Sequence, residues 1–276
     1  MILKFEEKDH KYTSLDPNDS VDWISVTSLI AKFKEPFDSV TTAEKVSKNK
    51  KSKWYGIKPE LIVKAWDDER DRANKLGTWY HNQREGDVLS LETISRSGIE
   101  LPIIKPIIEN NVKLSPHQQL VPGIYPEHFV YLKSAAICGQ SDRVEVVGEY
   151  VDITDYKTNK EIKTKGFVNW EGISKKLLKP VSHLDDCELN HYALQLSMYM
   201  YIILKHNHRL KPRNLSLQHV IFETDGENSF GYPITKLNDA GDPIVKEVIE
   251  YKVPYLKREV IDIINWLHEN KIKNDR

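Results

Sequence analysis

Residues 137–157 run Ile137-Cys-Gly-Gln-Ser-Asp142-Arg-Val-Glu-Val-Val-Gly148-Glu149-Tyr-Val-Asp-Ile-Thr-Asp155-Tyr-Lys157. Arg143–Val147 is rich in β-branched residues, Gly148-Glu149 supplies a turn, and Tyr150–Tyr156 alternates Val151, Ile153 and Asp155 against Asp152, Thr154 and Tyr156. Phe129–Cys138 has the same character, so a meander of three strands is expected. A hairpin turning at Gly148-Glu149 with arms of about six residues brings Asp142 and Asp155 within reach of each other at its open end. Lys157, two residues beyond Asp155, falls on the same strand face.

Outward from this hairpin the periods change. Ile62, Ala65, Trp66, Ala73, Leu76 and Tyr80 recur at three- and four-residue steps after Pro59, which predicts a long helix to about Ser90. A second firm helix is expected at about 188–207, strands at 216–223 and 245–252, and an amphipathic helix near 255–271. Residues 1–14 can form a strand. Trp23–Phe33 reads as a turn into a short helix capped by Ser25 or Thr27. Residues 96–126 hold five prolines and read as a loop-rich excursion, while 159–187 reads as a lysine-rich, partly helical insertion. Strands are thus mixed with helices along the chain.

With 39% hydrophobic residues in a chain of 276, there is enough apolar material for one substantial domain. Forty Lys and Arg nearly cancel 41 Asp and Glu, so the net charge of −1 gives no global attraction to nucleic acid. Any such attraction must be local. Lys45–Lys53, which ends against Trp54 and Tyr55, and Lys157–Lys165 are the candidate stretches; lysines beside aromatics suit a phosphate backbone and unstacked bases, or else form a solvated connector. Two cysteines, Cys138 and Cys187, exclude a disulfide framework and fall short of the four thiolates of an iron–sulfur cluster. With no apolar run of transmembrane length and no signal-like start, a cytoplasmic location is expected.

Two carboxylates placed together repel unless a cation sits between them, and Mg²⁺ or Mn²⁺ is the natural occupant. Such an ion can lower the pKa of bound water and neutralise charge developing on a phosphoryl group, with Lys157 beside it. From the spacing alone, a surface salt bridge is the preferred explanation of two Asp and a Lys, and it is the residues around them that reverse this. A rival Zn²⁺ site, His183, Cys187 and His191, needs all three on one helix; the reading preferred here is a helix N-terminus with Asp185 and Asp186 against its dipole. No His-Glu-x-x-His, Gly-x-Ser-x-Gly, dinucleotide-binding or phosphate-loop motif occurs.

Asp142-Arg-Val followed by Ile153-Thr-Asp155-Tyr-Lys157-Thr resembles motifs II and III of the PD-(D/E)xK nuclease superfamily, and its RecB-like branch in particular. Gly77-Thr-Trp-Tyr-His81-Asn-Gln-Arg-Glu85 is similar to that branch's first motif, a helix with Gly, His and Glu at four-residue steps. Gln195-Leu-Ser-Met-Tyr199 resembles its Q-x-x-x-Y motif, and Pro126-Glu127 a Pro-Glu pair found one strand before motif II. His10-Lys-Tyr and Trp23-Ile-Ser-Val-Thr also resemble the opening of phage-encoded members. The matches from Trp66 to Tyr199 cover about half the chain in the family's order. The four cysteines of cluster-bearing members are missing.

The resemblance implies an α/β fold, a central mixed sheet of four or five strands with the helices carrying His81 and Gln195 packed on it, and a single nuclease domain with an N-terminal embellishment over 1–60, a restriction-endonuclease-like catalytic core over 61–225, and a C-terminal strand and helix over 226–276. It implies that His81, Asp142, Asp155 and the carbonyl of Tyr156 hold Mg²⁺ or Mn²⁺, that Asp142, Asp155 and Lys157 are catalytic, that Gln195 and Tyr199 grip DNA, and that Glu85 and Glu127 support the site. The expected activity is exonucleolytic cleavage of DNA in recombination, repair or replication, in a bacteriophage or its host, with a helicase or a single-strand annealing or binding protein as partner. A single-strand or structure-specific endonuclease is the alternative, and so is a catalytically silent nucleic-acid-binding module.

Overall fold

The computed structural model describes residues 3–6, 11–16, 18–109, 112–114 and 118–274. In chain order the elements are β1 (Leu3–Glu6), β2 (Lys11–Ser14), β3 (Ile24–Ser25), α1 (Val26–Ala31), α2 (Ser39–Lys48), α3 (Pro59–Leu89), β4 (Thr93–Arg96), β5 (Ile99–Pro102), β6 (Ile107–Glu109), β7 (Val112–Leu114) and β8 (Gly123–Leu132). They continue with β9 (Ile137–Val147), β10 (Tyr150–Lys157), α4 (Glu188–His206), β11 (Lys211–Phe222), β12 (Thr224–Glu227), β13 (Pro233–Thr235), β14 (Val245–Val253) and α5 (Lys257–Asn274). The fold is α/β, with a mixed central sheet flanked by helices. Among the described residues that sheet has six strands, one more than the expected maximum, because β3 from the N-terminal region joins it.

The expected hairpin forms: Tyr150 pairs with Val147 and Thr154 with Arg143, across a turn in which Gly148 takes φ +61°. A glycine at the first turn position meets that φ without steric cost. The strand before it is corrected. Phe129–Cys138 is not one strand; β8 ends at Leu132, a 3-10 turn spans Lys133–Ala135, Ala136 takes φ +55°, and β9 begins at Ile137. Nothing in Lys133-Ser-Ala-Ala136 carries the Gly, Pro or Asn that marks a turn.

Strand β8 pairs with β9 along nearly its full length, from Leu132↔Ile137 to Gly123↔Val146. The other edge of β9 is shared: β10 pairs antiparallel over Arg143–Val147, and β3 pairs parallel at Ile137 and Cys138. Between them, opposite residues 139–142, β10 parts from β9. Parallel pairing of β10 with β11 requires a crossover, which α4 supplies; β14 closes the sheet antiparallel to β11.

Helix α4 is buried almost all round from Ala193 to Met200. It packs with Val26, Leu29 and Ile30 of α1 and Val260, Ile263 and Leu267 of α5 against Ile137, Val144, Val151 and Ile153 of the sheet. Tyr80 of α3 packs with Tyr156, Val220 and Phe222 in a separate cluster. Alternation along β10 separates the two: Val151 and Ile153 face α4, and the Tyr156 ring faces α3.

Ser25 caps α1, accepting from Ser28 N at 3.0 Å. The 96–126 excursion contains two short hairpins, β4–β5 and β6–β7. Residues 159–187 contain no helix among the described residues. Their apolar side chains lack a 3.6-residue period, and Gly166, Gly172 and Pro180 interrupt them. Met1, Ile2 and residues 7–10, part of the strand expected over 1–14, lie outside the described residues, and His10 with them. Trp54, read as a stacking surface, is buried against Trp66, Phe230 and Tyr232, and Lys53 Nζ donates to Phe230 O at 2.8 Å.

Packing of α4 on β9 depends on Gly139, where a Cβ would stand 2.8 Å from Tyr199 Cε1. Gly139→Ala is expected to lower stability by about 1–3 kcal/mol. Gly86→Ala, in α3 with open space around it, should raise it by roughly 0.5–1 kcal/mol. Denaturant unfolding of both variants checks the contrast, and equal effects would contradict it.

Candidate functional site

The parting of β10 from β9 leaves backbone groups without ladder partners, and side chains replace them. Tyr156 N–H, two residues past the last ladder pair Thr154↔Arg143, donates to Asp142 Oδ2 at 2.6 Å. The same register carries Asp155 opposite Asp142. On the other edge, the pairs Pro126↔Arg143 and His128↔Ser141 bracket Glu127 and place it across from Asp142. Glu127 adopts φ +47°, a left-handed conformation that costs energy for a side chain with a Cβ. Three carboxylates thus stand in line across three strands, where the two-strand hairpin expectation had two.

His81, on the middle of α3, covers this line. Its Nε2 lies 3.1 Å from Tyr156 O, and a carbonyl only accepts, so Nε2 carries hydrogen. Nδ1 then faces Asp142 Oδ2 at 3.5 Å and Glu127 Oε1 at 4.0 Å. Gln140 Nε2 donates to Glu127 Oε2 at 2.7 Å and leaves Oε1 toward the histidine. One ligand atom each from His81, Glu127 and Asp142 lie within 4.8 Å of one another. Ligands on opposite sides of one Mg²⁺ are about 4.2 Å apart. The imidazole and carboxylate donors fit a divalent cation, and the Nε2–H to carbonyl bond is the usual way a ligating histidine is oriented. Tyr156 O, expected as a ligand, is engaged in orienting His81.

Asp155 is 1% exposed. Its Oδ2 is 2.5 Å from Lys157 Nζ, and its Oδ1 accepts from Gln195 Nε2 at 3.3 Å. Gln195 Nε2 also lies 3.2 Å from Tyr199 Oη. Both helix residues were expected to grip DNA; both are buried, Gln195 bonding Asp155 and Tyr199 Oη accepting from Gln195. The Q-x-x-x-Y spacing gave the shared face correctly, but not which partner that face meets.

Tyr192, one turn before Gln195 on the same stripe, was missed. Lys157 Nζ sits 4.7 Å from its ring centroid, and its hydroxyl donates to Asn159 Oδ1 at 2.8 Å. Gln140 was missed too. The helical spacing of Tyr192, Gln195 and Tyr199 could have found the first. Glu85 lies one turn beyond His81, half-buried and outside the His81–Glu127–Asp142 group. Gly77 allows the close approach expected of it, since a Cβ there would be 3.2 Å from Thr158 Oγ1. Tyr12 of the N-terminal His-Lys-Tyr rests on Phe129, ring centroids 5.2 Å apart.

The rival zinc ligands do not converge. Helix α4 begins only at Glu188, His183 Nε2 turns to Glu259 Oε1 at 2.9 Å, and His191 Nε2 to Asp186 Oδ1 at 2.8 Å.

Burial and the charge of Asp155 push Asp142 up from 3.8 to about 6, against the pull of His81 and Lys157. Burial opposes the charge on Lys157, but Asp155 and Asp142 outweigh it and raise its pKa, so the ammonium persists at neutral pH.

No family model matches the chain, and no curated protein matches it. A solved structure titled "Crystal structure of SSO0001" aligns over 95% of this chain and 81% of that one, at 11% sequence identity and a TM-score of 0.34, which is too low to carry an argument. Among the described residues, no helix is long and apolar enough to cross a membrane.

Because Asp142 titrates above its ordinary value, its neutral form stabilises the metal-free fold fully below about pH 4, and that contribution is lost as pH rises through about 6. A divalent ion restores stability only where Asp142 is ionised. Mn²⁺ should therefore raise Tm at pH 7.5 and raise it much less at pH 5, with Asp142→Asn abolishing the difference. An equal Mn²⁺ increment at both pH values would count against the site.

Proposed function

We propose that the chain is a Mg²⁺- or Mn²⁺-dependent nuclease of the RecB-like PD-(D/E)xK type, hydrolysing DNA phosphodiesters, with exonuclease activity in recombination, repair or replication. The observation that carries this reading is the alignment of Glu127, Asp142 and Asp155 on three neighbouring strands, with His81 over one side and Lys157 beside the other. His81 Nδ1, Glu127 and Asp142 would hold the cation, and Asp155 stands on the strand beside Asp142. When bound, the ion supplies Lewis-acid polarisation of a phosphoryl oxygen and a lowered pKa for attacking water.

The remaining work falls to the protein's own groups. Lys157 keeps its proton, so it acts as a fixed cation and hydrogen-bond donor toward phosphoryl oxygens and not as a general base. Asp155 holds that ammonium in place, Gln195 holds Asp155 and is itself held by Tyr199 Oη, and the Tyr192 ring forms the wall under Lys157. The site thus spans helix, sheet and helix. A preference for ends follows by analogy with family members that lack a recognition domain, and a helicase or single-strand annealing or binding protein is the matching partner.

Purified chain with Mn²⁺ is expected to degrade linear DNA labelled at 5′ or 3′ and to spare a circle of the same sequence. Lys157→Ala and Glu127→Gln should each lower the rate by roughly a hundred-fold or more. Unfolding curves are needed alongside, since removing one partner of a buried ion pair costs about 3–5 kcal/mol. Parent-like cleavage by folded Lys157→Ala would sink the mechanism; retardation of DNA without cleavage by the parent would favour a silent binding module, and cleavage of the circle an endonuclease.

A further inference from the structure

The chain leaves β10 at Lys157 and builds a projecting hairpin before α4 begins. Its tip exposes Trp170 at 91%, Phe167 at 75%, Ile173 at 61% and Val168 at 51%. An apolar cluster of this kind on an ordered surface marks a contact site.

The hairpin is ordered by its own chemistry. Val168 bridges Ser174, Lys175 N donates to Phe167 O at 2.8 Å, and Asn169 N donates to Ile173 O at 3.0 Å. Asn169 Oδ1 accepts from both Glu171 N and Ile173 N, an Asx-type turn. At the neck, a Cβ on Gly166 would stand 2.3 Å from Lys175 O, so only glycine lets the two arms cross. The base is tied down beside the candidate site: Asn159 O accepts from His219 Nε2 at 2.6 Å, Asn159 Oδ1 from Tyr192, and Lys163 O from Leu189 N at 3.1 Å.

Charge selects the occupant. Residues 158–180 hold six lysines and two glutamates, in a chain whose net charge is −1; Lys163, Lys175 and Lys176 pair with Glu161, Asp186 and Asp185, while Lys160, Lys165 and Lys179 stay on the surface. Cations beside a nearly naked indole suit phosphates and a base face together, and aromatic stacking accepts any base. A protein partner would use the apolar tip but has no need of the lysines.

We propose that this hairpin is a single-strand-binding arm, on which Trp170 stacks an unpaired base while Lys160 and Lys165 hold the backbone leading toward Lys157. It rests on the nucleic-acid reading of the site and narrows the substrate to DNA with an unpaired strand.

The test is fluorescence anisotropy in EDTA with a fluorescein-labelled oligothymidylate of about 20 nucleotides, longer than the roughly 4–16 nucleotides that single-strand-binding folds cover. The parent should bind it, Trp170→Ala should bind about ten-fold or more weakly at unchanged Tm, and Trp170→Phe should recover most of the affinity. Parent-like affinity of Trp170→Ala overturns the proposal, as does absence of oligothymidylate binding by the parent. A Trp170→Ala protein that loses a dimer by light scattering but keeps its DNA affinity also overturns it and makes the tip a contact between copies. The two readings fail separately. If the parent with Mn²⁺ cleaves nothing while Trp170→Ala loses affinity, the nuclease reading falls and the arm stands; if the parent cleaves and Trp170→Ala binds as well as it does, the reverse holds.

Discussion

Mutual repulsion among Glu127, Asp142 and Asp155 is the constraint on which the centre of this molecule depends. Gathering carboxylates on adjacent strands removes them from water and sets like charges against each other. Every nearby polar group answers that repulsion. Lys157 neutralises Asp155, Tyr156 N–H and His81 reach Asp142, and Gln140 holds Glu127. Asp142 still titrates up at about 6, first because it is buried and then because Asp155 lies beside it.

The site is rigid because the sheet opens there and helices close over the opening. Where β10 leaves β9, Asp142 takes the Tyr156 amide that a ladder would have satisfied. Gly139 lets the Tyr199 ring approach the strand closely, Tyr199 Oη accepts from Gln195, and Gln195 in turn bonds Asp155. The same residues therefore serve packing and electrostatics. Substitutions in α4 reach the carboxylates without touching a substrate.

Much of this was legible in the chain. The period of α3 placed His81 on a helix, Gly148 placed the hairpin, and equal arms placed Asp142 opposite Asp155, because these are local rules of 3.6- and 2-residue repeats. Other features were not. The turn at Lys133–Ala136 carries no turn residues, so Phe129–Cys138 read as one strand. Residues 159–187 read as partly helical because lysines are good helix formers, whereas Asn169, Gly166 and Gly172 build a hairpin. Trp54 beside lysines read as a stacking surface, and tertiary contacts with Phe230 and Tyr232 buried it.

By itself the sequence determined the long helices, the hairpin, and the set of residues worth watching: His81, Glu127, Asp142, Asp155, Lys157, Gln195 and Tyr199. Tertiary structure alone decided what each of them faces. Glu127 moved beside Asp142 because β8 pairs with β9 in one register, and Tyr156 O turned to His81 because α3 crosses that point. Gln195 and Tyr199 face inward because α4 is covered on all sides. Periodicity specifies which residues share a face, but only the packing of one element on another, through contacts distant in sequence, specifies what that face meets.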